Sequence, residues 1–343
     1  MKKRVLNLCV SALLFAGLVG CGTAKETEGE VAAPKEQAAS SDQPVEIRYG
    51  GGFSTEENLW LMELDPSLTP NQGKTYSLKM TQFRANADRL NAYQAGQIDA
   101  GSIGQGAAMI TASQGIPIKV VASVAKETPG KGFNAQFLAL KESNIASVND
   151  LKGKTIGIPD FKSPTDMWAR AAVRSAGLDP DKDVKYAIIP IPSMTEAVKS
   201  KKIDAGMFPS EFAAKAEKSG EFVQVFTSKT GVDVDEDFYV MFMNPEFVEK
   251  NQQAVKDFLA DYAAATKYYI EHQQEVKKLL VEKGKVKADP EFYVDAPDFN
   301  RSETASLNKE GWKQIQDILL KDKWLEAPVD LEKLLDTSLL PNP

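Results

Sequence analysis

A set of neutral hydrogen-bonding side chains stands where predicted strands end and helices begin. The backbone N–H groups of a helix N-terminus favour an anion, and nearby hydroxyl and amide groups can bind it without adding charge. Arg84 lies in a loop of the same kind and could add a bidentate contact. The pattern predicts a small-anion site built from Ser54, Thr55, Ser102, Gln105, Ser163, Thr165 and Ser210. Two alternatives stay open, since each Ser or Thr could act only as a helix N-cap and Arg84 could be a solvated surface residue.

Aromatic side chains and two carboxylates bear on the kind of ligand that the site could bind. Phenylalanines in or beside these loops could stack on an aromatic ring, or they could pack only within the core. They are Phe53, Phe133, Phe161 and Phe208. Asp166 and Glu211 lie in helix starts that we expect to face the same site, where a carboxylate repels an anion unless it points away. A neutral, zwitterionic or cationic ligand therefore stays open.

The sequence is poor in nucleophiles and metal ligands. His272 is the only histidine and lies in a polar stretch of a predicted C-terminal helix, while the cysteines are Cys9 and Cys21. Because His272 lies far from the predicted cleft loops, we expect no Cys–His or Ser–His pair at the cleft, and the chain has no zinc-ligand set and no G-x-x-x-x-G-K-[ST] phosphate loop. We expect no catalytic residue, no metal and no cofactor. Chemistry by Asp166 and Glu211 alone is the open alternative.

The first residues have the pattern of a secretory signal peptide. Lys2, Lys3 and Arg4 precede an apolar run at 5–19, which is too short for a confident membrane span. The run ends in Leu-Val-Gly-Cys at 18–21, which resembles the bacterial lipobox. This resemblance implies cleavage before Cys21, lipidation of Cys21 and an extracytoplasmic protein anchored to the membrane. A plain signal peptide with a chance cysteine is the alternative.

Composition divides the rest into a tether and a globular body. Residues 22–44 are rich in Ala, Glu, Lys, Ser and Gln and contain no aromatic residue, so they cannot bury enough apolar surface to fold. The body, 45–343, is long enough for two domains. The net charge of the chain is −7, which gives no indication of nucleic-acid binding.

The phrase Ile-Asp-Ala-Gly occurs at 98–101 and again at 203–206. Each copy follows an amphipathic helical pattern and precedes another, which predicts helix, turn, short buried strand, loop and helix. Strands alternating with helices on both sides of 131 predict two α/β lobes with largely parallel sheets. Parallel sheets place their ligand sites at the carboxyl ends of the strands, where the candidate residues stand.

The predicted organisation has four parts. They are a signal peptide at 1–20, the lipidated cysteine and tether at 21–44, a first lobe at 45–130 and 238–343, and a second lobe at 131–237. Crossover segments at 126–133 and 228–238 would join the lobes and act as a hinge. The C-terminal part is predicted to be helical at 244–283 and 302–320.

Three segments resemble a known family. Asp-Leu-Lys-Gly-Lys-Thr-Ile-Gly at 150–157, Ala-Gly-Gln-Ile-Asp-Ala-Gly at 95–101 and Asn-Pro-Glu-Phe-Val at 244–248 are similar to periplasmic solute-binding proteins of ABC importers. The resemblance is to the nitrate, sulfonate, taurine and pyrimidine-precursor branch, and it covers about 45–283. It implies a type II periplasmic-binding fold, a small-molecule ligand in the interlobe cleft and delivery to ABC permease subunits by a monomer that is not an enzyme. A binder that docks a sensor, or a pyrimidine-precursor enzyme on the same fold, is the alternative.

Overall fold

The computed structural model describes residues 43–52, 55–83 and 85–341. The predicted signal peptide, Cys21 and most of the predicted tether lie outside the described residues, as do Phe53, Ser54 and Arg84. In the described part of the chain, no helix is both long enough and apolar enough to cross a membrane.

Two five-stranded sheets organise the described residues. In chain order the strands are β1 (Val45–Gly51), β2 (Tyr76–Gln82), β3 (Ala100–Gly104), β4 (Lys119–Glu127), β5 (Gln136–Leu140), β6 (Thr155–Ile158), β7 (Lys185–Ile188), β8 (Ala205–Phe208), β9 (Phe222–Thr227) and β10 (Glu236–Met243). The first sheet has the order β2-β1-β3-β10-β4 and the second has the order β7-β6-β8-β5-β9.

The two sheets share one plan. One strand in each sheet, β10 or β5, lies next to an edge strand and runs antiparallel to both of its neighbours. All other neighbouring strands in the two sheets are parallel. The chain passes between the sheets twice, from β4 to β5 and from β9 to β10. The predicted fold class, α/β with two lobes, is confirmed. We call the first sheet with its packed helices the first lobe, and the second sheet with its helices the second lobe.

Helices cover the sheets and form the C-terminal region. They are α1 (Glu57–Leu64), α2 (Asn86–Gln94), α3 (Gln105–Ser113), α4 (Pro164–Ser175), α5 (Ile191–Lys199), α6 (Ser210–Ser219), α7 (Pro245–Lys250), α8 (Gln252–Glu271), α9 (Gln273–Glu282), α10 (Pro290–Tyr293), α11 (Lys309–Lys321) and α12 (Leu331–Leu334). Both copies of Ile-Asp-Ala-Gly lead into a short buried strand, β3 or β8, that lies between two helices, as predicted.

Some predicted boundaries are wrong. The helix predicted at 302–320 begins only at Lys309, because local side-chain bonds compete with the helix before it. Ser302 Oγ accepts from the Ser306 N–H at 3.2 Å and lies 3.3 Å from Thr304 Oγ1. The strand predicted at 116–124 forms at Lys119–Glu127, and the strand predicted at 184–191 is only Lys185–Ile188.

The core of the first lobe lies between its sheet and the long helix α8. Tyr49, Tyr76, Phe258 and Tyr262 are fully buried there, and the rings of Tyr76 and Phe258 meet edge to face at 5.5 Å. Such aromatic packing buries a large apolar area. It makes the first sheet a firm support for the loops at its carboxyl ends.

Candidate functional site

A narrow pocket between the two lobes is the candidate functional site. Its cavity volume is only about 10 Å³, which is close to the space that one water molecule needs, so the two walls lie nearly against each other. The first lobe contributes Gln105, Glu236, Phe238 and Trp324, and the second lobe contributes Lys162 and Ser163. The lobes touch beside it, since a Cβ atom added at Gly104 would lie 3.1 Å from Pro164 Cγ. The structure therefore brings two of the predicted site residues, Gln105 and Ser163, to one pocket.

Gln105 opens α3 directly after the buried strand β3. Gln105 is only 1% exposed, yet neither its amide nitrogen nor its amide oxygen has a hydrogen-bond partner in the described part of the chain. Buried polar atoms are rarely left unpaired, because each loses its bonds to water. An unpaired donor and acceptor at a pocket wall are what a bound polar molecule would satisfy.

The facing wall is the start of α4. Ser163 caps this helix: its Oγ accepts from the Asp166 N–H at 3.4 Å, donates to the Asp160 carbonyl at 2.7 Å and lies 2.7 Å from Thr165 Oγ1. Lys162 is exposed and has a left-handed backbone, with φ of 54°. The helix N-terminus and the Lys162 ammonium group both favour negative charge at this wall.

Asp166 does not present a free carboxylate to the pocket. Its Oδ2 accepts from the Lys162 N–H at 2.9 Å, and its Oδ1 accepts from Arg170 Nε at 2.9 Å. Burial raises the pKa of Asp166, while these bonds and the Arg170 charge act to lower it. The carboxylate therefore bonds to the backbone N–H of the residue that precedes the N-cap residue Ser163. Glu211 lies in the first turn of α6, where burial raises its pKa.

The predicted aromatic residues have different surroundings. Phe133 is buried edge to face against Phe299 at 5.8 Å. Phe161 is 47% exposed in the loop after β6. Phe208 is fully buried in the core, 5.5 Å from the Phe222 ring, so its side chain packs inside the second lobe instead of facing the pocket.

The remaining predicted residues contact the protein itself. The Ser102 hydroxyl is buried and hydrogen-bonded to the Tyr49 hydroxyl, and the Ser210 hydroxyl donates to the Pro297 carbonyl. Thr55 has a φ of 70°, and its carbonyl accepts from Arg301 at 3.2 Å. Thr165 is buried beside Ser163. None of these four residues lines the pocket.

Sequence reasoning missed two buried charged residues, Arg89 and Glu56, beside the Gly-Gly-Gly segment at 50–52. Arg89 is 2% exposed; its guanidinium donates to the Ser102 carbonyl and to the Tyr239 hydroxyl, the latter at 2.6 Å. Glu56 is fully buried and accepts from the Gly52 N–H. Burial acts to lower the pKa of Arg89, but Tyr239 and Glu56 raise it, and burial raises the pKa of Glu56.

Gly52 approaches both side chains closely. A Cβ added at Gly52 would lie 2.8 Å from Glu56 Oε2 and 3.0 Å from Arg89 Nη2, so a larger residue there would displace the ends of both side chains.

Glu236 is a further acid at the pocket that the sequence did not single out. Its Oε1 accepts from Trp168 Nε1 and from Lys229 Nζ, both at 2.7 Å. Burial raises the pKa of Glu236, and Lys229 opposes this shift. The ion pair with Lys229 offsets its charge, so Glu236 does not by itself exclude an anion.

The paired sheets, the two crossings and a pocket between the lobes define a protein of the periplasmic-binding fold. The chain belongs to the NMT1/THI5-like family, whose match covers residues 77–276. The predicted family resemblance is confirmed.

Known proteins that resemble this chain include periplasmic binding proteins of the same fold. The periplasmic aliphatic sulphonate binding protein SsuA from Escherichia coli superposes with a TM-score of 0.68 at 18% identity, covering 85% of this chain and 92% of that chain. The taurine-binding periplasmic protein of Escherichia coli K12 is 26% identical over 208 residues, which is 61% of this chain and 62% of that protein. A Brucella abortus protein named as a candidate binding protein is 32% identical over 174 residues, 50% of this chain and 51% of its own length. The chain thus spans about half the length of the first curated relatives that it matches.

Proposed function

We propose that the protein is the solute-binding component of an ABC importer and that it captures a small organic anion between its lobes. The observation that carries this proposal is the buried, unpaired amide group of Gln105. Its amide is buried at the pocket with both ends unpaired, opposite the N-terminus of α4. A ligand that reaches both walls would satisfy this amide and hold the lobes together, as expected of a protein that closes on its cargo.

The two walls favour an anionic head on an apolar body. The head would lie against the Lys162 ammonium group, the Ser163 hydroxyl and the N-terminus of α4. The body would lie against Phe238 and Trp324 on the first lobe. This arrangement favours a sulfonate-like or aromatic acid over a bare inorganic ion such as nitrate, which would leave the apolar wall without a partner.

The relatives support a binding protein over an enzyme. The two Escherichia coli proteins are named as periplasmic binding proteins, for taurine and for aliphatic sulphonate. The predicted signal peptide and the Leu-Val-Gly-Cys motif favour an extracytoplasmic protein anchored through Cys21. As part of the proposal, this protein acts as a monomer and delivers its ligand to membrane permease subunits. The predicted domain boundaries and the predicted hinge segments are part of this proposal.

The experiment is a binding panel measured by isothermal titration calorimetry. The ligands are taurine, longer alkanesulfonates, nitrate, aromatic carboxylates and aminopyrimidines. A ligand at 100 times its dissociation constant should also raise the free energy of unfolding by about 2.7 kcal/mol. The proposal would be contradicted if no compound in the panel binds measurably and native mass spectrometry shows no copurifying ligand.

A matched pair of variants tests the pocket itself. Gln105→Leu removes the buried amide and should weaken binding by about tenfold or more, since a lost hydrogen bond to a buried group costs about 1–3 kcal/mol. Gln114→Leu changes the exposed C-cap residue of the same helix and should leave binding unchanged. Equal affinities in both variants would place the ligand elsewhere.

A further inference from the structure

A charged contact crosses between the lobes at α6. Lys215 Nζ lies 3.0 Å from Asp289 Oδ2, and Lys218 forms an ion pair with Glu291. The Phe292 ring lies beside both lysines, with its centroid 4.7 Å from Lys215 Nζ and 5.0 Å from Lys218 Nζ. We call these five residues the α6 latch.

The two sides of the α6 latch belong to different lobes. Helix α6 packs on β5, β8 and β9 of the second sheet. Residues 289–297 are fastened to the first lobe, where the Tyr293 hydroxyl donates to Glu57 Oε1 at 3.0 Å and Lys277 Nζ donates to the Ala296 carbonyl at 2.8 Å. Each ion pair of the latch would therefore be broken when the lobes separate.

The position of the latch ties it to the pocket. Helix α6 starts at the carboxyl end of β8, and its first residue, Ser210, donates its hydroxyl to the Pro297 carbonyl of the first lobe. A third interlobe ion pair joins Arg174 of α4 to Asp322, the C-cap residue of α11. The pocket is lined by α4 and α11, so charged contacts between the lobes accompany its closure.

The charges of the latch are paired across the lobes and are exposed to solvent. The side chains of Lys215 and Asp289 are 43% and 44% exposed, so salt can screen their attraction. The Lys215 hydrogen bond is the main cause that lowers the pKa of Asp289 below its ordinary value, and nearby Lys218 adds to it. One exposed ion pair contributes little free energy, but all the interlobe ion pairs must break when the lobes open, so their contributions add together.

We propose that the α6 latch biases the lobes toward the closed arrangement, so that ionic strength and the charges of the latch regulate how readily the solute pocket opens. The regulation of affinity rests on the proposed function, whereas the opening of the lobes does not. The salt dependence should be large, because the Debye length falls from about 30 Å at 0.01 M to about 3 Å at 1 M.

The test is hydrogen–deuterium exchange on the mature full-length protein in detergent, without ligand, at these two salt concentrations. Peptides that cover α6, 289–297 and the start of α4 report opening of the lobes. Peptides that cover β3 and β8 report global unfolding and serve as the internal control. We expect high salt to raise uptake at the interlobe peptides by several-fold and to leave the strand peptides unchanged.

Charge variants give the decisive comparison. Lys215→Glu with Lys218→Glu should raise interlobe uptake already at low salt, and the milder pair Lys215→Gln with Lys218→Gln should do so to a smaller extent. Adding Asp289→Lys and Glu291→Lys to the charge-reversed variant restores opposite charges and should restore protection. Lys250→Glu breaks an exposed ion pair within α7 and should change nothing at the lobe interface.

The outcomes separate the latch from the solute site. Unchanged interlobe uptake in all variants, or failure of the restored charges to recover protection, would overturn the latch even if the panel finds a ligand. If a ligand is found, the charge-reversed variant should bind it about tenfold more weakly at low salt. If no ligand is found, the exchange data still decide whether the latch holds the lobes.

Discussion

Asp99 and Asp204 make the same pair of backbone contacts in the two sheets. The Asp99 N–H donates to the Arg48 carbonyl at 2.8 Å, and Asp99 Oδ2 accepts from the Arg48 N–H at 3.1 Å. The Asp204 N–H donates to the Thr155 carbonyl at 2.9 Å, and Asp204 Oδ2 accepts from the Thr155 N–H at 2.8 Å. Each aspartate thus joins the turn before a central strand to the neighbouring parallel strand, β1 or β6.

Replacing either aspartate should destabilise its sheet. Asp99→Ala and Asp204→Ala each leave a backbone N–H without its charged acceptor, at an expected cost of about 1–3 kcal/mol in the free energy of unfolding. The loss should be greater for Asp99, whose side chain is less exposed and also binds the Arg48 guanidinium. Urea denaturation measures both, with the exposed Asp317→Ala as the control. Losses no greater than that of the control would refute the shared role.

Glu127 joins the two connections between the sheets. Its carboxylate accepts from the Ala135 N–H at 3.1 Å, from Asn134 Nδ2 at 2.7 Å and from the Ser228 hydroxyl at 2.9 Å. Burial and the nearby Glu236 charge raise the pKa of Glu127 from 4.5 to about 7, although Lys229 and these hydrogen bonds oppose the shift. The folded protein therefore binds a proton at this site more tightly than the unfolded chain does.

Stability should therefore decline with pH in a defined window. The free energy of unfolding should fall by about 3 kcal/mol as pH rises from about 4.5 to about 7, because the folded state increasingly loses its extra proton. Glu127→Gln is neutral at every pH and should flatten this decline, while the exposed Glu303→Gln should keep it. Denaturant titrations at several pH values measure the slope. A wild-type slope retained in Glu127→Gln would assign the decline to another group.

The sequence predicted the features that depend on local pattern. The repeated Ile-Asp-Ala-Gly phrase predicted both β3 and β8, because periodicity and tight turns depend on neighbouring residues. Ser163 also caps α4, which is the alternative that its position at a helix start left open. Each of these features needs only a few consecutive side chains.

Features that depend on distant partners were not predictable. Arg89 looks like an ordinary polar residue of an amphipathic helix, and its burial depends on Tyr239, which is 150 positions away. Phe238 and Trp324 reach the pocket only because α11 folds back onto β10 and α3. Phe208 looked like a pocket residue because it follows a strand, but it packs against Phe222. Pairing over such distances leaves no local pattern in one sequence.

Bulk at Gly104 should hold the lobes apart. A Cβ at this position would lie 3.1 Å from Pro164 Cγ of the other lobe. Gly104→Val should therefore weaken ligand binding by about tenfold or more, and Gln114→Leu, at the exposed end of α3, should preserve it. Calorimetry with any ligand found in the panel measures both. Full affinity in Gly104→Val would mean that the ligand does not need this closed contact.

Cys21 should carry the membrane anchor. The apolar run of the predicted signal peptide stops at the Leu-Val-Gly-Cys motif, so we predict that Cys21→Ser abolishes incorporation of labelled palmitate and moves the protein from the membrane fraction to the extracytoplasmic soluble fraction. Cys9→Ser changes the other cysteine, inside the predicted signal peptide, and should leave both labelling and anchoring intact. Labelled palmitate that persists in Cys21→Ser would assign the lipid to another residue. Loss of anchoring in Cys9→Ser would point instead to a requirement of the signal peptide itself.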